Sequence, residues 1–258
     1  MVQFTPIPAF SDNYIWMIGS AAGPDVAVVD PGEAGPVLAE IEARDLKLVA
    51  MLLTHHHGDH VGGVEELLVR HPVPVFGPAN ERIDGVDRPV RGGDVISVPE
   101  LDLSIGVVDV PGHTAGHVAY GTPGFALVGD TMFAGGCGRV FEGTMEQMHH
   151  SLALLAELPP ETLIFCAHEY TLANLRFALE VEPGNQALQQ RLADATRARA
   201  INQPTVPSTL AVELATNPFL RCDQPDIVSA AETRAGRRLS SVAEVFAVVR
   251  GWKDGWRG

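Results

Sequence analysis

Apolar residues along this chain recur with two different periods, and the change falls near residue 165. Before it, short runs rich in Val, Ile, Leu and Phe stand between Gly, Pro and Asp, the pattern of strands ended by turns. The predicted strands are QFTPIP, YIWMIG, VAVVD, LVAMLLT, VPVFG, DVISV, LSIGVVDV, FALVGD and TLIFCAH. Three stretches in the same region repeat with a helical period: about Gly35 to Arg44, Gly63 to His71, and Met145 to Leu158. Thr144 with Gln147 forms a capping box for the third. From about Thr171 onward only helical patterns occur, in TLANLRFALEV, QALQQRLADATRARAI, PDIVSAAETRA and SVAEVFAVVRGW, with Ser241 and Glu244 capping the last. Many strands with a few helices imply sheets packed together under a helical cover. The expectation is an α+β chain of two domains, residues 1–165 and an all-helical 166–258.

Composition narrows the class. Of 258 residues, 46% are hydrophobic and 19% charged, and no apolar run is long enough to span a bilayer. The start, MVQFTPIPAF, lacks the basic residues and continuous apolar stretch of a secretory signal. Cys137, Cys166 and Cys222 are odd in number and show no CxxC spacing, so no disulfide framework is expected and a reducing cytoplasm is the simplest setting. A formal charge of -14 argues against nucleic acid as a partner. That charge is uneven. Residues 1–165 carry 7 Lys/Arg against 22 Asp/Glu, whereas 166–258 carry 11 against 10.

The densest chemistry lies in THHHGDHVGG, residues 54 to 63, which follows the apolar strand LVAMLL. Buried histidines and aspartates each need a partner, and a cation supplies one. The useful spacing is His55-x-His57-x-Asp59-His60, and Gly58, Gly62 and Gly63 permit the tight turns such a loop needs. Further donors share that setting. PGHTAGH (111 to 117) follows LSIGVVDV and offers His113 and His117; GDT (129 to 131) follows FALV and offers Asp130; CAHEYT (166 to 171) follows TLIF and offers His168 and Glu169. Strand ends on one sheet edge can converge, which is how a multi-loop metal site is assembled.

HxHxDH, PGHTxGH, GDT and HEYT in this order resemble the metallo-β-lactamase superfamily. Within it, FSDNY (10 to 14), DPG (30 to 32), GCGRVFEGT (136 to 144), NPFLR (217 to 221) and RGWKD (250 to 254) look like segments of glyoxalase II, the hydroxyacylglutathione hydrolases. The resemblance spans essentially the whole chain. It implies an αββα sandwich followed by a smaller all-helical C-terminal domain, and two divalent metal ions, zinc first, with iron or manganese compatible. One ion would be held by His55, His57 and His113, the other by Asp59, His60 and His168. Asp130 and a hydroxide would bridge them, with Asp59 and Asp130 serving the catalytic centre. Imidazole and carboxylate suit such ions without any thiolate. His56 is expected to turn away from the metals and His117 to play a supporting part. His71, His149 and His150 lie in helical patterns and read as surface residues.

The reaction implied is hydrolysis of S-D-lactoylglutathione, or a related 2-hydroxyacyl thioester, to glutathione and D-lactate in methylglyoxal detoxification. Metal-bound water becomes acidic enough to act near neutral pH, and a metal stabilises the oxyanion as it forms. A departing thiolate is a weak base, so no strong general acid is demanded, and Glu169 reads as structural. The substrate is anionic while residues 1–165 are acidic, so local cations must compensate. Arg250, Lys253 and Arg257 share one face of the last predicted helix. The resemblance assigns Arg250 and Lys253 to the glycine carboxylate of glutathione, and Tyr170 to the tripeptide. Arg139 stands where the family usually has Lys, and Phe141 where some relatives have Tyr. Cys137 reads as a small residue in a tight turn and Cys166 as core. A persulfide dioxygenase with one iron is the nearest rival. A lactonase or β-lactamase, and a non-catalytic metal-binding module, stand further off. A monomer free of membrane is expected.

Overall fold

The computed structural model describes residues 2–21 and 23–257. The backbone divides into two compact units whose segments alternate along the chain. The first holds the chain up to Asp109 together with Thr114–Thr122 and Ala126–Gly129; the second holds Val110–His113, Pro123–Phe125 and everything from Asp130.

In the first unit, β1 (Val2–Ala9), β2 (Asn13–Ser20), β3 (Asp25–Val29), β4 (Lys47–Leu52), β5 (Val75–Pro78) and β6 (Arg88–Val90) form a sheet in sequence order. β1 to β3 are antiparallel, with Ile7 opposite Ile15 and Trp16 opposite Val29; β3 to β6 are parallel. Parallel strands need crossovers, supplied by α1 (Ala34–Arg44) between β3 and β4, by α2 (Gly58–Val61) with α3 (Val64–Arg70) between β4 and β5, and by the irregular segment 79–87 between β5 and β6. β2 and β4 are apolar without alternation because both faces are buried. One core joins Val37 and Ile41 of α1 and Val64 and Leu67 of α3 to Ile15, Met17, Val28 and Met51 of the sheet. Each such side chain contributes about 1.5–3 kcal/mol by leaving water. A second run follows in this unit, in the order β10-β9-β8-β7. It consists of β7 (Val95–Val98), β8 (Leu103–Asp109), β9 (Val118–Thr122) and β10 (Phe125–Gly129).

The second unit pairs β11 (Met132–Phe133) with β12 (Gly136–Cys137) in a hairpin, and β13 (Leu163–Cys166) with β14 (Ser208–Thr209). Its helices are α4 (Met145–Ala156), α5 (Thr171–Val181), α6 (Gln186–Ala200), α7 (Leu210–Thr216), α8 (Pro225–Ala235) and α9 (Val242–Gly255). Leu175 and Ala178 of α5 pack on Leu188 and Ala195 of α6, and the Phe177, Phe219 and Phe246 rings follow one another at 6.2 and 5.8 Å. Both arms of the Thr144/Gln147 capping box are present. At α9 the box is half formed: Ser241 accepts from the Glu244 amide, but the Glu244 carboxylate accepts from the Ser240 amide instead.

Every strand and helix expected from the sequence is present, with ends moved by a few residues. The structure adds β6, β9, β14, the β11/β12 hairpin, α2 and α7. β6 carries a proline and is three residues long; α2 opens on a glycine inside the His/Asp loop; α7 is seven residues. Apart from β9, these elements are too short or too irregular to show a period. One expectation fails: α9 ends at Gly255, so Arg257 lies beyond the helix and does not share its face with Arg250 and Lys253. No helix of the described residues is long and apolar enough to cross a membrane.

Candidate metal centre

In the first unit the donor loop leaves β4 at Thr54. Asp30, just past β3, stands in the left-handed region (φ 52) and is buried. Its carboxylate accepts from both the amide and the hydroxyl of Thr54, each at 2.7 Å, which ties the loop to the neighbouring strand. The same carboxylate lies 3.1 Å from His60 Nδ1. A carboxylate on one ring nitrogen fixes the orientation of the imidazole and leaves the other nitrogen to face a metal. His55 is fully buried; its Nδ1 lies 3.1 Å from the Thr54 hydroxyl and its Nε2 3.1 Å from His57 Nδ1. The His55 and His60 rings are 4.0 Å apart, and Asp59 Oδ2 lies 3.6 Å from His60 Nε2. Asn13 of FSDNY donates to Asp59 Oδ2 at 3.1 Å, which holds that carboxylate in place. Four donors thus crowd one loop.

Close approach explains a glycine in DPG. A Cβ on Gly32 would sit 1.9 Å from the Asp59 carbonyl oxygen, so only glycine lets this turn press against the donor loop. His56 points to the Glu81 carboxylate at 2.9 Å. His117 is buried and stacks on the His55 ring at 4.7 Å, where it fills space behind the donor.

In the second unit, Asp130 follows β10 and stands between two imidazoles. Its Oδ2 lies 3.4 Å from His113 Nε2, and its Oδ1 lies 3.3 Å from His168 Nε2. His113 has its Nδ1 2.8 Å from the Arg139 carbonyl, so its Nε2 is the nitrogen presented to Asp130. His168 stacks on Tyr170, 4.7 Å between centroids and 9° between planes, with Phe133 edge-on to both rings. Gly138 is a second forced glycine, since its Cβ would lie 1.9 Å from the Asp130 carbonyl oxygen.

The residues expected to bind substrate divide into two kinds. Arg139, Phe141 and Tyr170 are exposed; the Arg139 guanidinium covers the Phe141 ring at 5.5 Å, and Phe141 meets the His113 ring edge-on. Arg250 is 4% exposed and already engaged. It donates to the Cys137 carbonyl at 3.1 Å and to Asp254 at 2.8 Å, and lies over the Phe219 ring. Asp254 also reaches Arg139 Nε at 3.5 Å. Lys253 is half-buried over the Phe177 and Trp256 rings; burial first, then the Arg250 charge, lowers its pKa to about 8. Glu169 accepts from the Thr205 amide at 2.9 Å and from its hydroxyl. Of the three histidines read as surface residues, His149 is half-buried against Phe246. The three cysteines are buried free thiols, and burial raises the pKa of each, Cys166 to about 12.

All seven expected donors are among the described residues able to take part in holding a metal ion, as are His56 and Glu142. Asp30, Asn13 and Glu81 had no role assigned from the sequence, although Asp30 and Asn13 lie inside the segments DPG and FSDNY.

Residues 12–168 match the family profile described as the metallo-beta-lactamase superfamily, and residues 169–256 that of the hydroxyacylglutathione hydrolase C-terminus. A hydroxyacylglutathione hydrolase of Alkalilimnicola ehrlichii is 56% identical over 254 residues, covering 98% of this chain and 99% of that one. The BLEG-1 B3 metallo-beta-lactamase superposes with a TM-score of 0.61 at 19% identity, over 85% of this chain and 99% of its own. TTHA1623, solved in a di-iron-bound form, gives 0.59 at 25% identity, over 84% of this chain and all of that one. The fold is thus the α+β metallo-β-lactamase sandwich with a helical C-terminal domain. With full-length relatives more than half identical and two profiles accounting for nearly every residue, the chain belongs to the hydroxyacylglutathione hydrolases of the metallo-β-lactamase superfamily.

Proposed function

We propose that this chain hydrolyses S-D-lactoylglutathione and related 2-hydroxyacylglutathiones to glutathione and the free 2-hydroxy acid, using two divalent metal ions. His55, His57 and His113 hold one ion; Asp59, His60 and His168 hold the other; Asp130 bridges. The observation that carries this reading is the Asp130 carboxylate, which offers a different oxygen to each of two imidazoles assigned to different ions. A carboxylate so placed can span two cations. The donor chemistry fits. Nitrogen and oxygen ligands suit zinc, iron or manganese, and the cysteines are buried with raised pKa values, so no thiolate competes.

Two ions held there supply Lewis acidity for the thioester carbonyl and a water acidic enough to act near neutral pH. The chain's own part is orientation. Asp30 and the Arg139 carbonyl aim His60 and His113 through their far nitrogens, and Asn13 holds Asp59. Residues 1–165 carry most of the ligands, and 166–258 add His168 and the cations of α9. Arg139, Phe141, Tyr170 and Lys253 receive the glutathione part, with Arg250 behind them. The thiolate leaves without a general acid. Three unpaired cysteines support a reducing compartment, the cytoplasm.

The test is hydrolysis of a panel of glutathione and non-glutathione thioesters, with the metal content of the same preparation measured. Wild type should bind two ions per chain and prefer 2-hydroxyacylglutathiones. Asp130→Ala should lose at least one ion and most activity. Full two-ion occupancy in that variant would sink the bridging role, and one iron per chain with oxygen uptake would replace hydrolysis with the dioxygenase reading.

A further inference from the structure

Glu81 lies in the turn after β5, outside every motif that points to the reaction. Its side chain is 3% exposed, yet it is a carboxylate. Burying one is costly unless it is fully bonded, and three groups meet it. Oε2 lies 2.9 Å from His56 Nδ1; Oε1 accepts from the Gly116 amide at 3.2 Å and from the Thr114 hydroxyl. These groups belong to two loops and no others. His56 stands between the donors His55 and His57. Thr114 follows the donor His113, and Gly116 precedes His117, which stacks on His55. Fit is tight as well, since a Cβ on Gly116 would lie 2.6 Å from Glu81 Cγ.

We infer that Glu81 is a positioning residue for the metal centre: it clamps the 54–60 loop to the loop at Thr114–Gly116 and so fixes the backbone on which the donors of the 54–60 loop are mounted. This rests on the ligand assignment proposed above. Glu81 touches neither ion nor substrate; its effect travels through the two loops it joins. Partners that orient metal ligands in this way commonly alter metal affinity 10–100-fold when removed. The Thr114 and Gly116 bonds need only an acceptor at Oε1, which glutamine retains. The His56 contact tolerates an amide because either imidazole tautomer can face it.

The experiment titrates metal-free protein with zinc against a chromophoric chelator, alongside the melting temperature of the metal-free form. Wild type should take two ions. Glu81→Ala should bind zinc roughly 10–100-fold more weakly, and Glu81→Gln should recover to within a few-fold of wild type. Thr114→Val, which removes one bond from the opposite side, should weaken zinc binding in the same direction and serves if Glu81→Ala does not fold. If Glu81→Ala lowers only the melting temperature and binds zinc as wild type does, the residue is merely structural and the inference fails. Equal weakness of the alanine and glutamine variants would likewise overturn the clamp. A wild type that takes fewer than two ions would instead overturn the ligand assignment, independently of Glu81.

Discussion

Lys253 offers a test of how the substrate is held, because its charge is set by where it lies. Nζ stands 5.0 Å from the Phe177 ring centroid and 6.0 Å from that of Trp256, with Arg250 one turn earlier on α9. Burial and then the Arg250 charge lower its pKa from 10.5 to about 8. The sign follows directly. Between pH 8 and 10.5 the unfolded chain keeps a proton that the folded chain has lost, so stability rises with pH across that window. Below pH 8 both forms are protonated, and keeping the folded lysine charged costs on the order of 3 kcal/mol. An anionic ligand on Nζ would relieve part of that cost, which is the physical reason to place the glycine carboxylate of glutathione there. Losing that charge-assisted bond is worth about 1.5–3 kcal/mol, or roughly 10- to 100-fold in KM. At pH 9 only about one lysine in ten is charged, so KM for lactoylglutathione should rise roughly five- to tenfold over its value at pH 7. A contact to the glycine end of glutathione would be remote from the thioester carbonyl, so kcat should change little. Initial rates from pH 6.5 to 9.5 on wild type, Lys253→Arg and Lys253→Ala decide the matter. The arginine variant should hold a low, flat KM because guanidinium stays protonated; the alanine variant should be flat and high. A wild-type KM that stays flat through pH 9.5, or a Lys253→Ala effect confined to kcat, would refute the placement.

Asp30→Asn should lower zinc affinity on the order of 10–100-fold in chelator competition by releasing His60. The fold should survive, because asparagine accepts the left-handed backbone that Asp30 adopts. Arg250→Met should cost about 1–3 kcal/mol in urea denaturation, since it leaves the buried Cys137 carbonyl without its arginine donor, while Asp254 keeps Arg139. A variant of wild-type stability with a raised KM would show that Arg250 contacts glutathione directly instead of tying α9 to the β11/β12 hairpin.

Why some of this was legible in the sequence and some was not follows from distance along the chain. β2, β3, β4 and β10 are continuous apolar runs ended by turn residues, so their composition identifies them. The donors were readable because each metal-binding residue type stands where such a run ends. β9 was missed because it begins immediately after the PGHTAGH loop and its VAYGT offers only a short apolar stretch. The partners of the donors were invisible for another reason. Asp30 meets Thr54, Asn13 meets Asp59 and Glu81 meets Thr114 only after strands distant in sequence lie side by side. Arg250 shows the same limit from the opposite side. A periodic pattern placed it on a charged helix face, while the fold surrounds it with Cys137, Asp254 and Phe219.

The helices beyond residue 166 do more than pack on one another, and their buried polar residues say why. Asn174, Glu213 and Asn217 are almost wholly inaccessible, where an unsatisfied amide or carboxylate would be costly. All three find partners in the backbone of the hairpin from β11 to β12. Asn174 donates to the Ala134 carbonyl at 3.1 Å, Asn217 to that of Gly136 at 2.9 Å, and Glu213 accepts from the Gly135 amide at 2.8 Å. Arg191 and Ser208 complete the Glu213 shell. The hairpin begins two residues after Asp130, and its far strand supplies the Cys137 carbonyl that Arg250 grips. Helical side chains therefore fix the backbone on which Asp130 and Arg139 are mounted. Asn217 of NPFLR therefore answers a need set by the fold: a carbonyl of the hairpin takes its donor from this side chain, and a leucine or alanine would remove it.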